Sequence, residues 1–123
     1  MYIRFQSLEE SPYTGEKYGI FVAVWHLIRD KKVTHEEEAE YWKHRAWFEN
    51  NLPIPPFYEA GNQEKAITWF KTDALTVEMK KHLLFYFELA KKYDMTIVEN
   101  TTDSLANVIY EDIFQVAMIP KKC

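Results

Sequence analysis

The chain has 123 residues, of which 47% are hydrophobic, 28% are charged and only three are glycine. This length suits one domain, and the composition excludes a disordered, collagen-like or low-complexity chain. The formal net charge is −4, and the lysines occur in separated pairs, so the basic surface that nucleic acid requires is missing. We therefore expect a single domain over residues 1–123 that does not bind nucleic acid.

The chain has one cysteine, Cys123, which cannot form an intramolecular disulfide. Residues 1–6 do not combine a basic segment with a following apolar run, so they do not predict a signal peptide. The longest apolar run, residues 19–25, is too short to cross a bilayer. These features predict a cytoplasmic protein with no membrane partner.

The first third of the chain predicts a strand followed by two helices. Residues 2–6 alternate between polar and apolar side chains, as in a strand. Residues 16–30 carry apolar side chains at helical spacing and predict the first helix. Thr34 and Glu37 have the spacing of a capping box and begin a second helix that runs to about Asn51. Prolines in the following loop end this helix.

The remainder predicts one more helix and four strands. Residues 66–71 are ambiguous between strand and helix, and we favour a strand because Thr, Ile, Trp and Phe suit a pleated surface. Thr72 or Asp73 then caps a third helix that ends near Tyr93. Three further strands are predicted at residues 95–99, 107–110 and 114–119, the last two forming a hairpin. The order β-α-α-β-α-β-β-β predicts an α+β fold with a mostly antiparallel sheet of about five strands.

The motifs of common catalytic and cofactor sites are missing. Residues 35–39 resemble the start of a zinc-protease helix, but Ala39 stands where the second histidine ligand is required. Three glycines cannot form a phosphate-binding loop or a dinucleotide fingerprint, and no Gly-x-Ser-x-Gly turn is present. We therefore expect no metal and no cofactor. We favour a protein that is not an enzyme and leave the question of catalysis open.

The aromatic content of 16% is unusual and indicates that some aromatic side chains lie outside the core. Four phenylalanines lie on apolar faces and are expected in the core: Phe5, Phe21, Phe87 and Phe114. Aromatic side chains outside a core are enriched at protein interfaces. We expect such an interface, with a protein partner or a second copy of the chain, at Trp47, Phe57 and Tyr58.

A second candidate surface combines aromatic and charged residues of the predicted sheet. Trp69 and Lys71 share one side of their strand, and Tyr110 with Glu111 lies at the hairpin. A lysine beside an aromatic wall can hold a small anionic ligand. Because the aromatic content is high and catalytic motifs are missing, we favour a non-catalytic protein-binding or self-associating module. The alternative is a small-molecule-binding protein or enzyme that takes a small polar or anionic ligand at Trp69, Lys71, Tyr110 and Glu111.

Two segments carry a family resemblance. The first holds Asn62 followed by the block Trp69-Phe70-Lys71, and the second holds Tyr110-Glu111-Asp112 followed by Gln115-Val116. In these motifs the chain resembles a family of small bacterial proteins of unknown function, from which it departs in the charged second helix and in residues 52–58. The resemblance implies a bacterial, cytoplasmic protein and implies no activity.

Overall fold

A computed structural model describes residues 1–55, 58, 61–62 and 65–120 of the chain. These residues form six strands and three α-helices: β1 (Tyr2–Glu10), β2 (Lys17–Gly19), α1 (Ile20–Arg29), α2 (His35–Asn51), β3 (Ile67–Lys71), α3 (Val77–Lys92), β4 (Val98–Thr102), β5 (Val108–Glu111) and β6 (Gln115–Met118). A 3-10 turn, Thr72–Ala74, separates β3 from α3. The predicted α+β class and element order are confirmed, and β2 is one strand more than the sequence predicted.

All pairings in the sheet are antiparallel, and β1 has three partners. Tyr2 pairs with Lys71 of β3 and with Thr102 of β4, so these two strands lie on opposite edges of β1. Gln6 pairs with Gly19 of β2 and with Val98 of β4. Strands β2 and β3 therefore share one edge of β1. The sheet continues from β3 through β6 to β5.

The sheet is split along the edge of β1 that β2 and β3 share. Strand β3 pairs with Tyr2 and Ile3, whereas β2 begins its pairing at Gln6. No residue of β2 or β3 pairs with Arg4 or Phe5 on this edge, so the two strands diverge there. The split opens beside the start of α1, which follows β2 directly.

The helices pack on one face of the sheet. The sheet residues Ile3, Phe5 and Phe70 belong to one buried cluster with residues of all three helices, among them Ile20, Val24, Tyr41, Phe48, Leu83 and Tyr86. Burial of these apolar side chains is the main stabilising term of such a layered fold. Phe5 is buried in this cluster, and Phe21, Phe87 and Phe114 pack against it, as the sequence predicted. In the described part of the chain, no helix is long and apolar enough to cross a membrane.

The helix ends confirm one predicted cap and correct another. The Glu37 amide donates to Thr34 Oγ1 at 3.1 Å and the Thr34 amide donates to Glu37 Oε1 at 2.9 Å, which is the predicted capping box. Thr76, rather than Thr72 or Asp73, caps α3, because the 3-10 turn occupies residues 72–74. The first helix begins at Ile20 rather than near residue 16, because residues 17–19 pair with β1 as β2.

Candidate functional site: two adjacent cavities beside helix α1

The predicted ligand surface at Trp69, Lys71, Tyr110 and Glu111 is divided between the two faces of the sheet. Val116 pairs with both Trp69 and Glu111, whereas Ala117 pairs with both Thr68 and Tyr110. Paired residues share a face and successive residues alternate, so Tyr110 lies on the face opposite Trp69. The expected shared surface of Trp69 with Tyr110 is therefore not formed.

The four residues have other contacts in the structure. Lys71 Nζ lies 2.5 Å from Glu111 Oε2 and ties β3 to the edge strand β5. Trp69 is buried, and its Nε1 has no hydrogen-bond partner within the described ranges. The Tyr110 hydroxyl donates to Asp112 Oδ2 at 2.7 Å, and this bond raises the pKa of Tyr110 to about 12. None of the four residues lines either of the two cavities described below.

Of the three predicted interface residues, Trp47 and Tyr58 are among the described residues. The half-buried Trp47 stacks on His82 of α3, with ring centroids 4.3 Å apart and planes at 19°, so it packs within the molecule. Phe57 lies outside the described residues. Tyr58 lines both cavities, and its hydroxyl forms a hydrogen bond with Thr68 Oγ1.

The larger cavity, which we call the aromatic cavity, lies between the helices and the loop that follows α2. It has a volume of about 710 Å³, and its walls include Trp25 of α1, Tyr41 and Trp42 of α2 and Tyr86 of α3. The rings of Trp25, Tyr41 and Trp42 contact one another, with centroid distances of 5.2–6.4 Å. This cavity therefore offers flat apolar walls on two helices.

Two polar groups stand out among the residues that line the aromatic cavity. Tyr86 lines this cavity and is only 1% exposed, and burial raises the pKa of its phenol. The Arg45 guanidinium lies 5.6 Å from the Trp25 ring and 5.2 Å from the Trp42 ring, which is the geometry of a cation–π contact. Arg45 is neutralised by Glu49 Oε1, 2.7 Å from its Nε. Of these two groups, the neutral phenol of Tyr86 is the one that can donate a hydrogen bond to an uncharged acceptor in the cavity.

The smaller cavity, which we call the Arg4 cleft, occupies the split between β2 and β3. It has a volume of about 420 Å³ and is lined by Arg4, by the turn before β2 and by the first residues of α1. It is adjacent to the aromatic cavity, because the two share lining residues: Phe21, Val22, Tyr58, Phe70 and Gln115. The sequence analysis missed both cavities, since each is built from segments that are distant along the chain.

The described residues contain no cluster of three or more His, Cys, Asp or Glu side chains that could hold a metal ion. The histidines His44 and His82 face each other across α2 and α3, with Nδ1 atoms 2.8 Å apart. Each ring is covered by an aromatic neighbour, Phe85 or Trp47. This pair is part of the packing between the two helices.

Comparisons of the chain with protein-family models, with curated proteins and with solved structures give no match. The resemblance to the small bacterial family therefore stays a prediction. The geometry of the two cavities is the basis for the functional argument that follows.

Proposed function

We propose that this chain is a non-catalytic binding protein for a small molecule with a flat apolar body, and that the aromatic cavity receives this body. The observation that carries the proposal is an open cavity of about 710 Å³ whose lining includes Trp25, Tyr41, Trp42 and Tyr86. Small-molecule sites have volumes of roughly 300–1,000 Å³ and walls that are mostly apolar and aromatic, with a few polar groups that orient the ligand.

The polar group that would orient the ligand is the Tyr86 hydroxyl. The phenol is protonated at neutral pH, because the usual pKa of tyrosine is already about 10 and burial raises it further, so it is a hydrogen-bond donor. A protonated phenol is a poor base and a poor nucleophile, which supports binding rather than catalysis. The ligand class that fits is therefore a flat ring system that carries a hydrogen-bond acceptor.

The same geometry bears on the two functions that the sequence left open. A flat exposed aromatic patch would favour a protein-binding module, whereas a concave cavity favours a small-molecule ligand. The cavity supports the second class. On this proposal the ligand binds beside α1 and α2 rather than at Trp69, Lys71, Tyr110 and Glu111.

The test uses two probes that differ in one acceptor: 1-tetralone, which has a carbonyl, and tetralin, which lacks it. We expect the wild-type chain to bind 1-tetralone about 2–10 times more tightly, as one neutral hydrogen bond contributes about 0.5–1.5 kcal/mol. Tyr86→Phe keeps the ring and should remove this difference. Binding is measured by quenching of tryptophan fluorescence and by calorimetry.

The exposed wall residue Trp42 provides the second variant. Trp42→Ala should weaken both probes, whereas Trp69→Phe, which alters a tryptophan outside the cavity, should leave both affinities unchanged. If neither probe binds, or if Trp42→Ala binds both as well as the wild type, the proposal is wrong.

A second candidate function is supported by the rim of the aromatic cavity. Val22, Trp42 and Ile54 line this cavity and are 44%, 44% and 53% exposed, so apolar surface surrounds its mouth. A protein partner or a second copy of the chain could cover this rim. Light scattering should then show a dimer that Trp42→Ala weakens. A strict monomer at high concentration would remove the homodimer version.

A further inference from the structure

We infer that Arg4 and the N-terminus of helix α1 form a binding site for the carboxylate group of a ligand, in the cleft between β2 and β3. This site uses the Arg4 cleft rather than the aromatic cavity, so it goes beyond the proposed function and does not depend on it. The inference is carried by a buried cation, an uncapped helix end and two hydroxyl groups of the turn before β2.

Arg4 is a buried cation that forms no ion pair with any carboxylate of the described residues. It is 8% exposed, and its one side-chain hydrogen bond to a described residue runs from Nη1 to Gln6 Oε1 at 3.0 Å. Burial lowers the pKa of Arg4, but a guanidinium remains charged at neutral pH. A buried charge is unfavourable without a partner, and an anion in the cleft would supply that partner.

The start of α1 adds a second set of donors. Its N-cap is Gly19, which has no side chain to accept from the first amides, and the first turn has no acidic residue. The first residues of the helix, Ile20, Phe21 and Val22, line the Arg4 cleft. Unsatisfied amides and the positive end of the helix dipole favour an anion at such a position.

The two sets of donors lie next to each other at Gly19. A Cβ built on Gly19 would lie 3.5 Å from Arg4 Nη2, so the guanidinium packs against the N-terminus of α1. A planar guanidinium and helix amides can bind the two oxygens of one carboxylate. The uncapped helix end and the unpaired arginine thus complete one site.

Two buried hydroxyl groups add further donors to the cleft. Ser11 Oγ accepts from the Tyr13 amide and Thr14 Oγ1 accepts from the Glu16 amide, both at 3.2 Å, so the O–H of each residue is left to donate. The cleft therefore presents hydrogen-bond donors on the side of the turn as well as on the side of the helix.

The charge balance of the cleft favours a single negative charge on the ligand. Lys17 is paired with Glu10, with Nζ 3.4 Å from Oε1, and the carboxylate of Glu16 acts on Arg4 through space. Glu16 thus offsets part of the Arg4 charge without forming an ion pair with it, and the positive charge left in the cleft is at most that of Arg4 together with the helix end. A carboxylate matches this charge better than a doubly charged phosphate does.

The test titrates the full chain with sodium acetate and, separately, with acetamide, which has the same shape and no charge. Backbone amide NMR shifts give the affinities and report whether the residues of the cleft respond. We expect acetate to bind and acetamide to bind at least about tenfold more weakly, as charge-assisted hydrogen bonds are about twice as strong as neutral ones. Sodium phosphate is the third probe, and tighter binding of phosphate than of acetate would overturn the inference.

Arg4→Met removes the charge and keeps an unbranched side chain. It should weaken acetate binding at least about tenfold, while the matched Arg29→Met, which alters an exposed arginine paired with Asp30, should have no effect. Unchanged acetate affinity in Arg4→Met would overturn the inference.

A second measurement on the wild-type chain keeps the inference testable if Arg4→Met does not fold. The Nε–Hε resonance of Arg4, identified by its loss in Arg4→Lys, should shift with acetate and not with acetamide. Equal shifts with both probes, or no shift with either, would contradict the carboxylate site.

Discussion

Glu37 shows how one side chain connects two distant helix ends. Its Oε1 accepts from the Thr34 amide, its Oε2 lies 2.5 Å from Lys92 Nζ, and it also accepts from the Tyr93 hydroxyl. The hydrogen bond from Lys92, with those from Thr34 and Tyr93, lowers the pKa of Glu37 to about 2. Thr34 thus caps α2 and also helps to fix the carboxylate that holds the end of α3.

We predict that Thr34→Ala lowers the free energy of unfolding by about 0.5–2 kcal/mol, because the hydroxyl that accepts from the Glu37 amide is lost. Urea unfolding followed by circular dichroism measures the change. Thr96→Ala is the matched control, since Thr96 is exposed between α3 and β4, and it should change stability by less than about 0.5 kcal/mol. An unchanged midpoint in Thr34→Ala would show that this cap does not stabilise the folded state.

The capping box and the Arg4 cleft differ in how far sequence reasoning could predict them. Thr34 and Glu37 interact across three residues, so their spacing alone predicts the contact. Arg4 alternates with Ile3 and Phe5, which by itself indicates an exposed strand residue. Its burial depends on β2 and on β3, about 15 and 65 residues further along the chain. No signal near Arg4 could have shown that this arginine is buried.

At the scale of elements, α2 and α3 meet through aromatic rings and two histidines. His44 stacks on Phe85, with ring centroids 4.4 Å apart and planes at 17°. The Nδ1 atoms of His44 and His82 are 2.8 Å apart, so one ring donates to the other and at least one is neutral. Burial, and next the neighbouring His82, lowers the pKa of His44.

We predict that the protein loses stability as the pH falls below about 6.5, the usual pKa of histidine. The folded pKa of His44 is lowered, so the unfolded chain takes up the proton first and acid favours unfolding. Two carboxylates face the pair: Glu40 lies 3.8 Å from His44 Nε2, and Glu78 lies 4.0 Å from His82 Nε2. The nearby charge of Lys43 also lowers the pKa of His44.

The measurement for this pair is urea unfolding at pH 8, 7, 6 and 5.5. His44→Gln should flatten the dependence between pH 7 and 5.5, because the group that resists protonation is gone. His35→Gln, at the exposed start of α2, should keep the wild-type profile. Equal pH dependence in wild type and His44→Gln would contradict the assignment to this pair.

The strands show why a hydrophobic pattern in the sequence predicts the order of elements better than the residues at which each element begins and ends. The ambiguous segment 66–71 is a strand, β3, because β1 and β6 hydrogen-bond to its two edges. The strand predicted at 95–99 lies at Val98–Thr102, because these residues pair with Gln6 through Tyr2. Strand β2 has three residues and no periodicity of its own, so only its pairing with β1 defines it. Boundaries of this kind depend on partners elsewhere in the chain.

At the scale of the whole molecule, β1 organises both candidate binding regions. It lies between β4 on one edge and both β2 and β3 on the other. The split on the second edge forms the Arg4 cleft, and the helices that cover the sheet enclose the aromatic cavity next to it. Hydrophobic periodicity predicted the α+β class, because each element buries one face. The cavities depend on long-range pairing that periodicity does not encode.

Phe5 is the side chain through which β1 holds these parts together. It is 7% exposed, and its ring centroid lies 5.1 Å from that of Phe87 in α3 and 6.3 Å from that of Phe70 in β3. The planes of Phe5 and Phe87 meet at 83°, an edge-to-face arrangement that adds to the burial of apolar area. Truncation of this ring would leave a cavity between the sheet and α3.

We predict that Phe5→Ala lowers the free energy of unfolding by about 3–5 kcal/mol, the usual cost when a buried phenylalanine is truncated. Leu8→Ala on the same strand is the matched control. Leu8 is 60% exposed, so its truncation should cost less than about 1 kcal/mol. Urea unfolding of both variants, followed by tryptophan fluorescence, gives the two values. Equal losses in the two variants would mean that Phe5 does not anchor β1 to α3 and β3, because a surface position would then matter as much as the core.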